Sequence, residues 1–171
     1  NFSGGWTLAW WSNHSDASAT KGAKLAALQS FARVLYALKA NPHAAILEAL
    51  AGTGLGFECV SRAELERVRE VLPGIPRERV LFTPNFAPRS EYRWALECGY
   101  RVTVDNLQVL RDWAPLFRDR EIFLRLDATG GRGHHEKVRT GGRHSKFGVP
   151  PEEYAELPAA VAAAGARVVG L

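Results

Sequence analysis

From Val34 onward the chain alternates short apolar runs with amphipathic runs of helix length, and this alternation constrains the fold more than any other feature. Strand-like runs are predicted at residues 35–40, 56–60, 79–83, 101–104, 121–126 and 167–171, most of them starting roughly 20–25 residues apart. Helices are predicted between them at 42–51, 62–72, 90–98, 107–113 and 152–164. Local punctuation supports the boundaries. Asn41-Pro42 breaks the first strand, and Pro42 is placed to open a helix that Gly52 and Gly54 can stop. Ser61 with Glu64 three residues later reads as a capping box, and Asp105 is placed to cap the fourth helix. Pro158 is expected to disturb the last helix.

A βαβα rhythm of this kind gives an α/β fold with a parallel sheet and helices outside it. No Gly-x-Gly-x-x-Gly follows the first strand, which weakens a dinucleotide-binding open sheet. A (β/α)8 barrel of TIM type fits better, with about six of its eight strands present. Residues 31–171 then form the N-terminal part of the barrel. Residues 1–30, with Trp6, Trp10, Trp11 and a helix-like stretch at 24–31, are a segment of unassigned role. The chain holds no Met and ends on a strand-like run, so it is expected to be a piece of a longer protein, with the remaining strands beyond Leu171. A partial barrel has open strand edges, so the isolated piece is expected to be marginally stable or to self-associate.

Composition narrows the function classes. With 171 residues, 46% of them hydrophobic, the chain can bury a sizeable core. The net charge of +4 is spread along the chain without a basic run interleaved with aromatics, which argues against a nucleic-acid partner. Cys59 and Cys98 make no disulfide framework, and there is no apolar run long enough for a membrane span and no signal segment. A reduced, cytoplasmic protein is the expectation.

In a (β/α) barrel the chemistry collects where the strands end. Those ends carry Lys39 and Asn41, Glu58 and Ser61, Thr83 and Asn85, Asp105 and Asn106, then Arg125 and Asp127. Ser61 and Asp105 serve equally well as plain helix caps. Lys39 has two readings. It is either a lysine whose stem reaches back to water or a poorly solvated amine able to form a Schiff base with an aldehyde, and the rest of the chain favours the second. The loop that follows Asp127 holds His134, His135 and His144, but no Cys or paired carboxylate completes a tetrahedral set, so no metal is expected. Its Arg132, Lys137, Arg139 and Arg143 either meet an anion or are simply solvated.

Three stretches together resemble a known family: Tyr36-Ala37-Leu38-Lys39-Ala40-Asn41, Gly54-Leu55-Gly56-Phe57-Glu58-Cys59-Val60-Ser61, and Thr140-Gly141-Gly142-Arg143-His144-Ser145-Lys146-Phe147-Gly148. They are similar to the pyridoxal-phosphate decarboxylases built on an alanine-racemase-like barrel, and within these to the diaminopimelate decarboxylases. Thr83-Pro84-Asn85-Phe86-Ala87-Pro88 and the His134-His135-Glu136-Lys137-Val138-Arg139 lead-in look most like the decarboxylase half of bifunctional aspartate kinase/diaminopimelate decarboxylase proteins. The resemblance implies pyridoxal 5'-phosphate as cofactor and decarboxylation of meso-2,6-diaminopimelate to L-lysine, a lyase step of lysine biosynthesis. It implies Lys39 as the catalytic Schiff-base lysine, and Glu58 (where the family usually has Asp) and Arg125 beside the cofactor. His144 and Ser145 would lie in a loop covering the site, with Lys146 reaching an acid on a partner subunit of a homodimer. The resemblance also implies a C-terminal β-domain, which is absent from this chain. A related ornithine or polyamine-precursor decarboxylase, a non-catalytic pyridoxal-binding barrel and a purely structural barrel remain as alternatives.

Overall fold

The computed structural model describes residues 33–127 and 147–171. The chain falls into two compact units, Asn1–Phe82 and Thr83–Leu171. The predicted helix at 24–31, the three tryptophans ahead of it and residues 128–146 lie outside the described residues.

In the first unit, strands β1 (Leu35–Ala37), β2 (Gly56–Cys59) and β3 (Val80–Phe82) pair in parallel in sequence order. Helix α1 (Ala44–Gly52) connects β1 to β2, and α2 (Arg62–Val71) connects β2 to β3. β1 is shorter than the predicted 35–40. The chain leaves it at Ala37 and makes one 3-10 turn, Leu38–Ala40, so Lys39 sits on that turn and not on the strand. Asn41 Oδ1 then accepts the His43 backbone N–H at 3.0 Å. That side-chain turn delays the helix to Ala44, two residues past Pro42. At α2, Ser61 Oγ accepts the Glu64 N–H at 3.3 Å, as a capping box requires. The Glu64 carboxylate closes the motif on the N–H of Val60, at 2.7 Å, instead of on Ser61.

The second unit carries α3 (Arg89–Glu97), β4 (Arg101–Val104), α4 (Leu107–Asp112), α5 (Ala114–Phe117), β5 (Glu121–Leu124), α6 (Leu157–Ala164) and β6 (Arg167–Gly170). Strands β4, β5 and β6 are again parallel neighbours. The predicted helix at 107–113 is two helices, because the chain turns at Trp113 and Pro115 starts a second one. Asn106, not Asp105, caps α4: its Oδ1 accepts the Gln108 N–H at 2.7 Å. Asp105 is thereby left outside the cap. Pro158 does not kink a long helix. It sits in the first turn of α6, where its missing N–H costs nothing, behind a 3-10 stretch from Pro151 to Glu156. At the N-terminal ends of the strands, Glu121 is shared by Arg101, at 2.6 Å, and Arg167.

Gly56 has no room for a side chain, since a Cβ there would overlap the Arg79 carbonyl oxygen and the Leu35 side chain. Gly52, at the end of α1, has open space around it. We therefore expect Gly56→Ala to destabilise the protein by about 1–3 kcal/mol. Gly52→Ala should be neutral or stabilising by up to about 1 kcal/mol. Urea unfolding of the two variants checks the pair, and equal midpoints would contradict the packing described.

Candidate active site

Alternation along β2 places Phe57 and Cys59 on one face of the strand and Gly56 and Glu58 on the other. Phe57 meets the Tyr36 ring edge-on at 6.4 Å. On the opposite face, register sets Glu58 in a row between Ala37 of β1 and Leu81 of β3. Glu58 is only 6% exposed, an unusual place for a carboxylate. Two residues past Ala37, Lys39 is exposed, which corrects the expectation of a poorly solvated amine. The turn carries it out of the strand row, so the neighbouring strands do not bury it.

Glu64 is the residue that sequence reasoning treated only as a helix-cap partner. Its pKa is raised, chiefly by burial, with the negative charge of Glu58 adding to the effect. The Val60 hydrogen bond and the positive charge of Lys39 oppose it. Glu64 thus feels both the second acid, Glu58, and the amine of Lys39. The same two acids, after burial, raise the Cys59 thiol well above its usual value. The spacing of Glu64 behind Ser61 signalled the cap, but nothing local showed that its carboxylate would sit within reach of Lys39.

In the second unit, Arg125 directly follows β5 and continues the ladder, its N–H donating to the Val104 carbonyl at 2.9 Å. Its guanidinium carbon lies 4.5 Å from the centroid of the Phe147 ring. Asp105, one residue past β4, has its pKa raised mainly by burial and lowered by the charge of Arg125. The buried Tyr92 hydroxyl is raised by burial and then by Asp105. Asp127 is 5% exposed, and its backbone carbonyl accepts the Tyr154 hydroxyl at 2.7 Å. Asn85 and Thr103 each bury a side-chain oxygen that has no hydrogen-bond partner among the described residues. His144, Ser145 and Lys146 lie outside the described residues. Among the described residues, no group of three His, Cys, Asp or Glu side chains is placed to hold a metal ion. No described helix is long and apolar enough to cross a membrane.

Residues 19–171 match the family described as pyridoxal-dependent decarboxylase, pyridoxal binding domain. The chain belongs to that family. It is 37% identical over 128 residues to a diaminopimelate decarboxylase of Methanothermobacter thermautotrophicus, a match covering 73% of this chain and 29% of the relative. A Deinococcus radiodurans diaminopimelate decarboxylase is 34% identical over 140 residues, covering 82% and 36%. An ornithine decarboxylase of Neurospora crassa is 37% identical over 92 residues, covering 53% and 19%. Among solved structures, a diaminopimelate decarboxylase superposes with a TM-score of 0.76 at 22% identity, over 86% of this chain and 35% of that one, which shows the fold. The Helicobacter pylori diaminopimelate decarboxylase complexed with L-lysine superposes with a TM-score of 0.64 at 28% identity, over 80% and 36%. The fold is thus the α/β barrel of these decarboxylases, present in part. The chain spans 29% and 36% of the length of the two diaminopimelate decarboxylases it matches.

The Arg125–Asp105 pair has a readable consequence. Replacing Arg125 with Ala removes a neighbouring charge that lowers the Asp105 pKa, so Asp105 should titrate at still higher pH. A carboxyl whose folded-state pKa lies above its unfolded value favours the fold at low pH and loses that contribution as pH rises through the folded value. The variant should therefore lose more stability than wild type as pH rises from the acid range toward neutral. Carboxyl-carbon NMR titration of Asp105 tests this, and an unchanged or lower titration midpoint would refute it.

Proposed function

We propose that this chain supplies residues 31–171 as the N-terminal part of the pyridoxal-phosphate barrel of a decarboxylase that converts meso-2,6-diaminopimelate to L-lysine and carbon dioxide. The observation that carries the substrate reading is the match to diaminopimelate decarboxylases over 73% and 82% of the chain, against 53% for the ornithine decarboxylase. The residues present suit the cofactor. An aldehyde needs a reachable primary amine, and Lys39 is exposed. A pyridine ring nitrogen or a lysine ammonium is stabilised by a carboxylate, and Glu64 lies within electrostatic range of Lys39 and of a second acid, Glu58. A phosphate or phenolate oxygen calls for a fixed cation, the role we assign to Arg125.

When bound, the pyridoxal ring supplies the electron sink for bond cleavage at the amino-acid α-carbon. The chain's own residues do the rest. Lys39 Nζ would hold the cofactor through its aldehyde carbon. Glu64, held by the Val60 N–H, keeps negative charge within electrostatic reach of that nitrogen, and Glu58, held in the strand row, acts on Glu64. Arg125 offers positive charge to an anionic oxygen. The enzyme we propose is a cytoplasmic homodimer in which Lys146 meets an acid of the partner subunit, His144 and Ser145 belong to a covering loop, and an aspartate kinase domain is fused to the decarboxylase.

The full-length protein, assayed for carbon dioxide release on meso-diaminopimelate, ornithine, arginine and lysine, should turn over the first. Turnover of ornithine alone would replace this reading with the polyamine-precursor one. Borohydride reduction in the presence of pyridoxal phosphate should leave one modified peptide, carrying Lys39. Lys39→Ala should lose both the adduct and turnover, and an adduct retained by that variant would remove Lys39 from its role.

A further inference from the structure

The Phe147-Gly148 pair closes the stretch 140–148 that carries part of the family resemblance, and the site described above gives it no task. Its placement is tightly determined. The Val149 N–H donates to the Arg125 carbonyl at 2.8 Å, and the Asp127 N–H donates to the Val149 carbonyl at 2.8 Å. These bonds make Leu126 and Val149 a parallel bridge. Gly148 has φ +84, and a Cβ there would lie 2.7 Å from the Asp127 nitrogen and 2.8 Å from the Leu126 carbonyl carbon. Only glycine lets the two backbones approach this closely. The residue just ahead of it is thereby delivered to one position, and its ring stands 4.5 Å from the Arg125 guanidinium carbon. Asp105 reaches the same guanidinium electrostatically from the neighbouring strand end.

We propose that Phe147 is a positioning residue for Arg125, its ring face holding the guanidinium ready for the anionic oxygens of a bound pyridoxal phosphate. The inference rests on the cofactor reading above and adds a residue to it. An arginine loses considerable rotamer freedom when it clamps an anion. A ring that restricts the side chain beforehand reduces that loss, and it attracts the cation as well.

The test uses the full-length protein and pyridoxal phosphate itself. Phe147→Leu, which keeps an apolar side chain without the ring, should raise the dissociation constant for pyridoxal phosphate roughly 2- to 30-fold. Phe147→Tyr, which keeps the ring, should restore wild-type affinity. In an Arg125→Ala background, Phe147→Leu should add nothing further. Without cofactor, the Arg125 Nε–H proton resonance should carry a ring-current shift in wild type and in Phe147→Tyr that Phe147→Leu lacks. This comparison stands even where Phe147→Leu folds poorly, because Phe147→Tyr can be set against wild type. If wild type and Arg125→Ala differ in affinity while Phe147→Leu matches wild type, or if Phe147→Leu costs as much without Arg125 as with it, the inference fails and the cofactor reading stands. If wild type takes up no pyridoxal phosphate, the cofactor reading fails and the inference with it.

Discussion

Parallel pairing is the constraint on which the rest of this structure depends. Adjacent parallel strands cannot be joined by a tight turn, so the chain must return along the sheet through a crossover, here a helix or a pair of helices. Within each unit all strands then point the same way, and every strand ends on the same edge. Residues far apart in sequence become neighbours there: Lys39, Glu58 and Glu64 in the first unit, Asp105 and Arg125 in the second. The close register that makes this possible leaves no room for a side chain at Gly56, where the β3 end of the first unit presses against β2.

Both units repeat one electrostatic arrangement. A carboxylate is withdrawn from water, which raises its pKa, and a cation held on a neighbouring segment lowers it again: Lys39 for Glu64, Arg125 for Asp105. Burial dominates in each case, so the carboxylates are held as more readily protonated groups than exposed ones would be. In the first unit a second acid, Glu58, pushes the same way as burial. Such groups are suited to exchanging a proton or steadying a nearby ammonium.

The positions of most helices and strands were legible in the sequence because their signals are local. Apolar periodicity, Ser61 with Glu64, and the glycines at helix ends all act within a few residues, and the observed boundaries of α2, α3 and β4 fall within a residue of those expected. The departures are also local, and each has a competing interaction behind it. Asn41 captures the His43 N–H and delays α1, Asn106 takes the cap expected of Asp105, and Pro115 and Pro158 start helices where continuation or a kink was expected.

By itself the sequence determined the βα order, the parallel α/β class and the list of polar residues at the strand ends, since periodicity and turn chemistry are properties of short stretches. How those residues act on one another depends on the packed chain. It put Lys39 on an exposed turn, drew Glu64 into range of Lys39 across 25 positions of chain, and set the Phe147 ring against Arg125. Those outcomes depend on register, burial and backbone approach between segments distant in the chain, and no single stretch of sequence contains them.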